Sequence, residues 1–215
     1  MKKLFMFVGL LAFFGCTFAH QPRLIFQQPI GQVVTVENPE ISQAFYGILS
    51  WQEDVYQINS DTGFLLYVNI VVPNVSWSRT DFFVDIIQGN NAVYTRLDGK
   101  SFVWTDFFEP FAGDDYLKGP EREQQVPAWR YTIRVSNPDN QGKYSLAIGK
   151  IESFPLNETI HTYKVLPALK VVFFEKPRYT MFRSVVGWGL LVLIVLVIGI
   201  VRWSIRIIRH IRKNR

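Results

Sequence analysis

Cysteine is nearly absent from this sequence. The 215 residues include one cysteine, Cys16, and it lies in an apolar segment at the N-terminus. A domain that follows this segment therefore has no disulfide and must be stabilised by its own core. It also has no cysteine nucleophile.

Histidine is scarce as well, and the usual catalytic motifs are missing. The only histidines are His20, His161 and His210. There is no G-x-S-x-G elbow, no phosphate-binding P-loop and no H-E-x-x-H helix. A carboxylate pair for glycoside chemistry stays open, because acids are plentiful and nothing singles out one pair. We predict that the protein is not an enzyme.

Acidic residues are missing from both ends of the chain. The formal net charge is +5, yet residues 20–183 hold 15 basic and 18 acidic residues. The excess of positive charge comes from two lysines near the N-terminus and six basic residues near the C-terminus. The basic isoelectric point therefore comes from the two ends of the chain, whose charges are explained by membrane topology. No nucleic-acid partner is expected.

The N-terminal segment has the pattern of a secretory signal. Lys2 and Lys3 precede an apolar run over residues 4–14, and small residues follow up to Ala19. We predict a signal peptide at 1–19, with a mature chain that begins at His20. An uncleaved anchor is one alternative. Lipidation of Cys16 is another, although the preceding Phe-Phe-Gly fits a lipoprotein signal poorly.

The C-terminal region predicts one membrane span. Residues 184–201 contain no charged side chain, and as a helix they would be about 27 Å long, close to the thickness of the hydrocarbon layer. The tail that follows is basic and contains no acid, which places it in the cytoplasm. We predict a transmembrane helix at 184–203, a basic cytoplasmic tail at 204–215 and an N-terminal domain outside the cytoplasm of a prokaryotic cell.

Four cations of this tail recur at helical spacing. If the helix continues past Val201, they lie on one face and would contact the anionic lipid of the inner leaflet. Fixing the orientation alone would need far fewer charges. The four residues are Arg202, Arg206, Arg209 and Lys213.

Short runs of strand-forming residues fill the region between the two ends. Turn residues separate them, which is typical of an antiparallel β-sandwich. We predict an all-β exported domain at 20–151. In it, Tyr131, Ile133 and Val135 share the buried face of one strand, which pairs with a strand carrying Tyr144, Leu146 and Ile148. The predicted strands are 32–36, 44–49, 54–58, 64–72, 82–88, 92–97, 131–135 and 144–149.

The pattern over residues 54–149 resembles the bacterial pre-peptidase C-terminal domain family. The resemblance rests on "DVYQI" at 54–58, "FLLYVNI" at 64–70, "DFFVDII" at 81–87, "AWRYTIRV" at 128–135 and "GKYSLAIG" at 142–149. The chain departs from the family at Trp129, where the family usually has glycine, and in a long insertion between Leu97 and Val126. The resemblance implies a jelly-roll-like sandwich that binds or stabilises and does not catalyse. A weaker resemblance, in layout only, is to GOLD-domain cargo receptors, although their luminal disulfide and coiled-coil stalk are missing.

The insertion at 104–123 is rich in aromatic and acidic side chains and is expected to interrupt the sandwich as a loop. Its aromatic residues either pack over the end of the sandwich or form a contact patch; they are Trp104, Phe107, Phe108, Phe111 and Tyr116. Its carboxylates either hold calcium or form a solvated acidic loop; they are Asp106, Glu109, Asp114 and Asp115.

His20 suggests a second kind of metal site. A chain that starts with histidine can bind copper through its amine and imidazole together. Such a site needs a second histidine, and His161 is the only other one on the exported side. A flexible first residue is the simpler alternative.

Residues 152–183 change to a helical pattern. Leu156, Ile160, Tyr163 and Leu166 recur at helical spacing, and Pro167 is expected to end that helix before a second one begins. The segment either lies near the membrane surface or packs on the sandwich. We therefore predict a membrane-anchored binding or accessory module, with a copper-binding protein that uses His20 as the alternative.

Overall fold

The computed structural model describes residues 20–89 and 92–213, so the predicted signal and Cys16 lie outside the described residues. Two β-sheets pack face to face, and helical segments follow them. The strands are β1 Gln21–Leu24, β2 Val34–Thr35, β3 Gln43–Ser50, β4 Asp54–Asn59, β5 Phe64–Pro73, β6 Phe83–Gln88, β7 Ala92–Asp98, β8 Thr105–Glu109, β9 Asp114–Val126, β10 Arg130–Ser136 and β11 Gln141–Ile148. The helices are α1 Leu156–Ala168 and α2 Val185–Lys213, with 3₁₀ turns at Ile25–Gln27 and Arg178–Arg183 and a π-helical segment at Leu169–Phe173.

The sandwich is mixed rather than purely antiparallel. One sheet has the order β1-β3-β11-β5-β9-β8 and the other has the order β2-β4-β10-β6-β7. The prediction of an antiparallel sandwich is wrong at two edges, where β1 pairs parallel with β3 and β2 pairs parallel with β4. The reason is that the first segment of the domain runs along both sheets and adds one short edge strand to each.

The inner core follows from the alternation of apolar side chains. Tyr131, Ile133 and Val135 are fully buried, as predicted. However, β10 pairs with β4 and β6, whereas β11 pairs with β3 and β5. The predicted pairing of these two strands is therefore wrong, and their side chains meet across the core. The turn between them passes from one sheet to the other. The Asn137 side chain stabilises this turn with two hydrogen bonds to the backbone of Gln141.

A hydrogen-bonded tyrosine pair lies inside this core. The hydroxyl groups of Tyr56 and Tyr144 are 2.6 Å apart, and Tyr144 also donates to Asp54 over 2.6 Å. Gly47 lies opposite Tyr144 in the sheet, and a Cβ at this position would be 2.4 Å from the tyrosine ring. Glycine is needed at position 47 because the buried Tyr144 ring lies directly over its backbone and leaves no room for a side chain.

The segment at 104–123 is a β-hairpin rather than a loop, which corrects the prediction. Its strand β9 has 13 residues and pairs with β5 along its length. Its strand β8 forms the edge of the six-stranded sheet. Gly113, with a φ of +72°, makes the turn between the two strands. The sequence did not predict strand β9 because most of its side chains after Tyr116 and Leu117 are polar.

Helix α1 and the π-helical segment pack on the outer face of the six-stranded sheet. They bury a second apolar cluster, which includes Tyr46, Tyr116, Leu166, Leu169, Phe173 and Phe174. The segment therefore packs on the sandwich, and its nearness to the membrane surface stays a prediction. Pro167 lies in the last turn of α1, which ends at Ala168, and a separate π-helical segment follows at Leu169–Phe173, so two consecutive helical segments are present as predicted.

Helix α2 is long, apolar and mostly exposed. It has 29 residues, and by length and composition it is able to cross a membrane. It continues past residue 203 into the basic tail without a break. Its first residues pack against the domain, where Val186 and Gly187 are buried.

Candidate functional site

The candidate site is a cavity of about 570 Å³ on the outer face of the six-stranded sheet. Strands β3, β11 and β5 form its floor, α1 forms one wall, and the β8–β9 turn closes one end. The floor includes Ala44, Tyr46, Asn69, Val71, Ser145 and Ala147, and the wall includes Thr162, Val165, Leu166 and Leu169.

Small side chains on the floor create the space. Residues that alternate with the buried core positions point outward from the sheet. Ala147 lies between Ala44 on one side and Asn69 on the other, in one row across three strands. Because two of these three positions are alanine, α1 can lie above the sheet without filling the gap.

The two ends of the cavity differ in polarity. Phe107, Pro110 and Phe111 line the end at the β8–β9 turn together with Glu109, so this end is mainly apolar. The other end is polar and includes His20, Ser42, Tyr67, Lys150 and Glu152. There the Tyr67 hydroxyl donates to Glu121 over 2.8 Å, and the Lys150 ammonium lies 4.6 Å from the centre of the Tyr67 ring.

His20 is held at the polar end by Ser42. The Nδ1 atom of His20 and the Oγ atom of Ser42 are 2.5 Å apart. Removal from water lowers the pKa of the imidazole to about 4, so His20 is neutral at physiological pH. Within residues 20–89 and 92–213, no carboxylate is hydrogen-bonded to His20, so the pair lacks the third member of a hydrolytic triad.

Glu109 lies at the apolar end and stabilises the turn. Its two carboxylate oxygens accept hydrogen bonds from the backbone N–H groups of Phe111 and Ala112, at 2.8 and 2.7 Å. Burial raises the pKa of Glu109 to about 7, against these hydrogen bonds, which favour the charged form. The protonation of this carboxyl therefore changes near neutral pH.

A buried ion pair fixes the helical segment to the sheet. Asp114 and Lys170 are fully buried and paired, and Lys170 also donates to the carbonyl of Ala112 over 2.6 Å. Lys176 adds a second contact to Asp114 at 3.3 Å. Burial lowers the pKa of Lys170. Removing Asp114 would leave the Lys170 ammonium buried without its ion-pair partner, whereas without Lys170 the Asp114 carboxylate keeps its contact with Lys176.

The carboxylates predicted to hold calcium do not converge. Asp106 accepts from the Asn74 side chain over 2.9 Å, while Asp115 is exposed. Glu109 and Asp114 have the partners described above. Among the residues that the structure describes, no group of three or more His, Cys, Asp and Glu side chains could hold a metal ion. Calcium binding and copper binding at His20 stay predictions.

The predicted aromatic patch separates into three sets. Phe107 and Phe108 are exposed on β8. Trp104 packs against the inner core and donates its indole N–H to the Gly99 carbonyl over 2.8 Å. Phe111 and Tyr116 belong to the second apolar cluster.

The four predicted lipid-contacting cations lie on α2 and are exposed. They are Arg202, Arg206, Arg209 and Lys213. The structure thus places them on one uninterrupted helix with the apolar run that precedes them.

Sequence reasoning missed the cavity and the buried ion pair. Ala44, Asn69 and Ala147 lie on three different strands, so no local pattern identifies them as one surface. Lys170 did carry a signal, because it is the one charged residue in the apolar run 165–174. Its partner Asp114 is 56 positions away in the sequence.

No protein-family model and no curated protein sequence matches the chain. Solved structures do match, and one is the pre-peptidase C-terminal domain of a collagenase from Bacillus anthracis. The match covers 62% of this chain and 98% of that one, with 11% sequence identity and a TM-score of 0.32. The type of domain that the sequence pattern resembles is thus found among the matching structures. A likeness this low in identity and TM-score supports no inference about function.

Proposed function

We propose that the protein is a membrane-anchored binding or accessory module that works outside the cytoplasm and does not catalyse a reaction. Its binding site is the cavity between α1 and the six-stranded sheet. The observation that carries this proposal is the cavity itself, since Ala44 and Ala147 in its floor leave a wide, mainly apolar space.

The size and lining of the cavity indicate the class of ligand. Its volume of about 570 Å³ lies within the range of small-molecule sites, about 300–1,000 Å³. One end is mainly apolar apart from Glu109, and the other carries hydroxyl groups, a lysine, a glutamate and an imidazole. This gradient fits an amphiphile, with an apolar chain toward Phe111 and a polar group toward Ser42.

The membrane anchor is supported by charge and length. Helix α2 is exposed along most of its apolar stretch, so it does not serve as a core helix of the domain. The cations that follow the stretch favour a cytoplasmic C-terminus. A single span with an exported N-terminal domain and a jelly-roll-like sandwich outside the cell agrees with both features.

Protease digestion tests the topology. Protease added outside spheroplasts is expected to degrade the sandwich and to leave a fragment that contains α2 and the tail. The control is the same digestion after the membrane has been opened with detergent, which should remove the tail as well. Protection of the sandwich in intact spheroplasts would contradict the proposal.

Photo-crosslinking tests the cavity. The full chain in phosphatidylcholine vesicles is irradiated with a diazirine analogue of palmitic acid, and the labelled peptides are identified by mass spectrometry. We expect labelling within residues 162–169, and we expect Ala147→Phe to reduce it at least fivefold because the ring fills the cavity. The matched control is Thr132→Phe on the outer face of the other sheet, which should leave labelling unchanged. Equal labelling of both variants would exclude the cavity as the site.

We also propose that the tail binds anionic lipid of the inner leaflet. Each cation near an anionic surface contributes about 1 kcal/mol. A peptide of residues 202–215 is expected to bind vesicles that contain phosphatidylglycerol and to bind neutral vesicles weakly. Equal binding to both kinds, or binding to neither at low salt, would leave orientation as the only role of the tail.

A further inference from the structure

The first turns of α2 are part of the folded domain. The N–H groups of Val185 and Val186 donate to the carbonyls of Pro110 and Phe111, at 3.3 and 3.4 Å. The Tyr163 hydroxyl donates to the Val186 carbonyl over 3.2 Å. Leu190 still packs against the second apolar cluster. Within the described residues, the helix therefore leaves the domain at about residue 191.

The remaining apolar length is too short for a bilayer. Residues 191–201 of a helix extend for about 16 Å, whereas the hydrocarbon layer is about 30 Å thick. One solution is to draw Arg202 and Arg206 into the hydrocarbon, which is costly for charged side chains. The other is to place the turns that are packed on the domain inside the membrane as well.

The surface around the start of α2 suits the second solution. Leu156 and Ile160 lie one turn apart on α1 and are 75% and 48% exposed, and Trp188 on α2 is 60% exposed. Phe154, next to α1, contacts Phe111 with ring centres 5.1 Å apart. Phe111 accepts a hydrogen bond from Val186, and Tyr163, less than one turn after Ile160, donates to the same residue, so α1 and Phe154 lie beside the start of α2.

We propose that this surface, which we call the membrane-facing rim and define as Leu156, Ile160 and Trp188, lies within the outer leaflet. The membrane-proximal end of the domain is then immersed in the outer leaflet, and the domain is not separated from the membrane by a linker. Exposed apolar side chains bind lipid in the same way as the apolar face of an interfacial helix. Tyr179 on the preceding 3₁₀ turn is 71% exposed and suits the interface. The inference rests on the proposed single span.

Spin labels on single cysteines test the rim. Cys16 is the only cysteine, so Cys16→Ser gives a background without thiols. Cysteines are introduced at Leu156 or Ile160 of the full chain, which is reconstituted in vesicles of phosphatidylcholine and phosphatidylglycerol. The measurement is the ratio of collision rates with oxygen, which prefers lipid, and with a water-soluble nickel chelate.

Two control sites make the outcome decisive. Thr62→Cys is exposed in the β4–β5 turn, at the opposite end of β9 from α2, and Leu193→Cys is in the exposed part of the helix. We expect the oxygen-to-nickel ratio at 156 and 160 to exceed that at 62 by at least threefold. A ratio at 156 and 160 equal to that at 62, with lipid exposure at 193, would overturn the rim and keep the span. A water-exposed label at 193 would overturn the span and the rim together.

Discussion

The two apolar clusters of the domain are built in different ways. The inner cluster lies between the sheets and takes almost all of its side chains from alternating positions along strands. The second cluster lies on the outer face of one sheet and joins strands, the β8–β9 turn, α1 and the start of α2. The buried ion pair of Asp114 and Lys170 adjoins it, with the Lys170 ammonium 5.6 Å from the centre of the Phe174 ring.

The two clusters therefore differ in which contacts determine the positions of their strands and helices. In the inner cluster many similar contacts share the stabilisation, so the position of each strand is determined by the pattern as a whole. In the second cluster one charged contact determines where the π-helical segment meets β9. Four predictions examine this contrast, in order of decreasing effect.

Breaking the ion pair should have the largest effect. Asp114→Ala is expected to destabilise the protein by about 3–5 kcal/mol, because the Lys170 ammonium is left buried. The measurement is the free energy of unfolding in urea of the full chain in detergent. The double variant Asp114→Leu with Lys170→Met should recover most of the loss. Equal losses in the single and double variants would show that the charges themselves are not the cause.

Truncation in the inner cluster should cost about as much or somewhat less. Ile133→Ala is expected to lower the free energy of unfolding by about 2–5 kcal/mol, because it leaves a cavity between the sheets. Thr132→Ala, one residue away on the outer face of the sheet, is the control and should change it by less than about 0.5 kcal/mol. Similar losses in both variants would contradict the placement of β10.

The second cluster should also make stability depend on pH. The pKa of Glu109 is raised from 4.5 to about 7, so the folded state holds more protons than the unfolded state between these values. Stability due to this group is therefore present below pH 4.5 and lost as the pH rises to 7. Glu109→Gln should remove about 1–2 kcal/mol of that decline. Parallel pH profiles of the wild type and the variant would show that Glu109 is accessible to water.

The smallest effect is expected at the exposed part of the aromatic hairpin. Phe108→Ser should change the free energy of unfolding by less than about 0.5 kcal/mol, because the ring is exposed on the edge strand. Trp104→Ser is the contrasting variant and should destabilise the protein clearly, since its indole packs on the inner core. Equal losses of stability in the two variants would contradict the placement of Phe108 on the surface and of Trp104 against the core.

The inner cluster could be predicted from the sequence because its signal is local. The alternation of Tyr131, Ile133 and Val135 identifies a buried face whichever strands are neighbours. The sheet to which each strand belongs could not be predicted, because the turn at 137–140 can either close a hairpin or pass between sheets with similar residues.

The second cluster and the cavity could not be predicted because their signals are not local. The long strand β9 carries charged residues on its exposed side and lacks the apolar run of a typical strand. The cavity depends on Ala44 and Ala147, which become neighbours only when β3 and β11 pair. The long apolar helix α2 could be predicted because an uncharged run followed by arginines is recognisable without tertiary context.

The start of α2 has a mechanical consequence. Val185 and Val186 are hydrogen-bonded to the β8–β9 turn, which couples the start of the helix to the sandwich. Strand β9, with 13 residues, reaches about 40 Å from this pivot to the far end of the domain. A helix tilts when the bilayer changes thickness, and each 10° of tilt would then displace the turn at 61–63 by about 7 Å. If α2 spans the bilayer as proposed, the outer end of the domain would move laterally when the bilayer changes thickness.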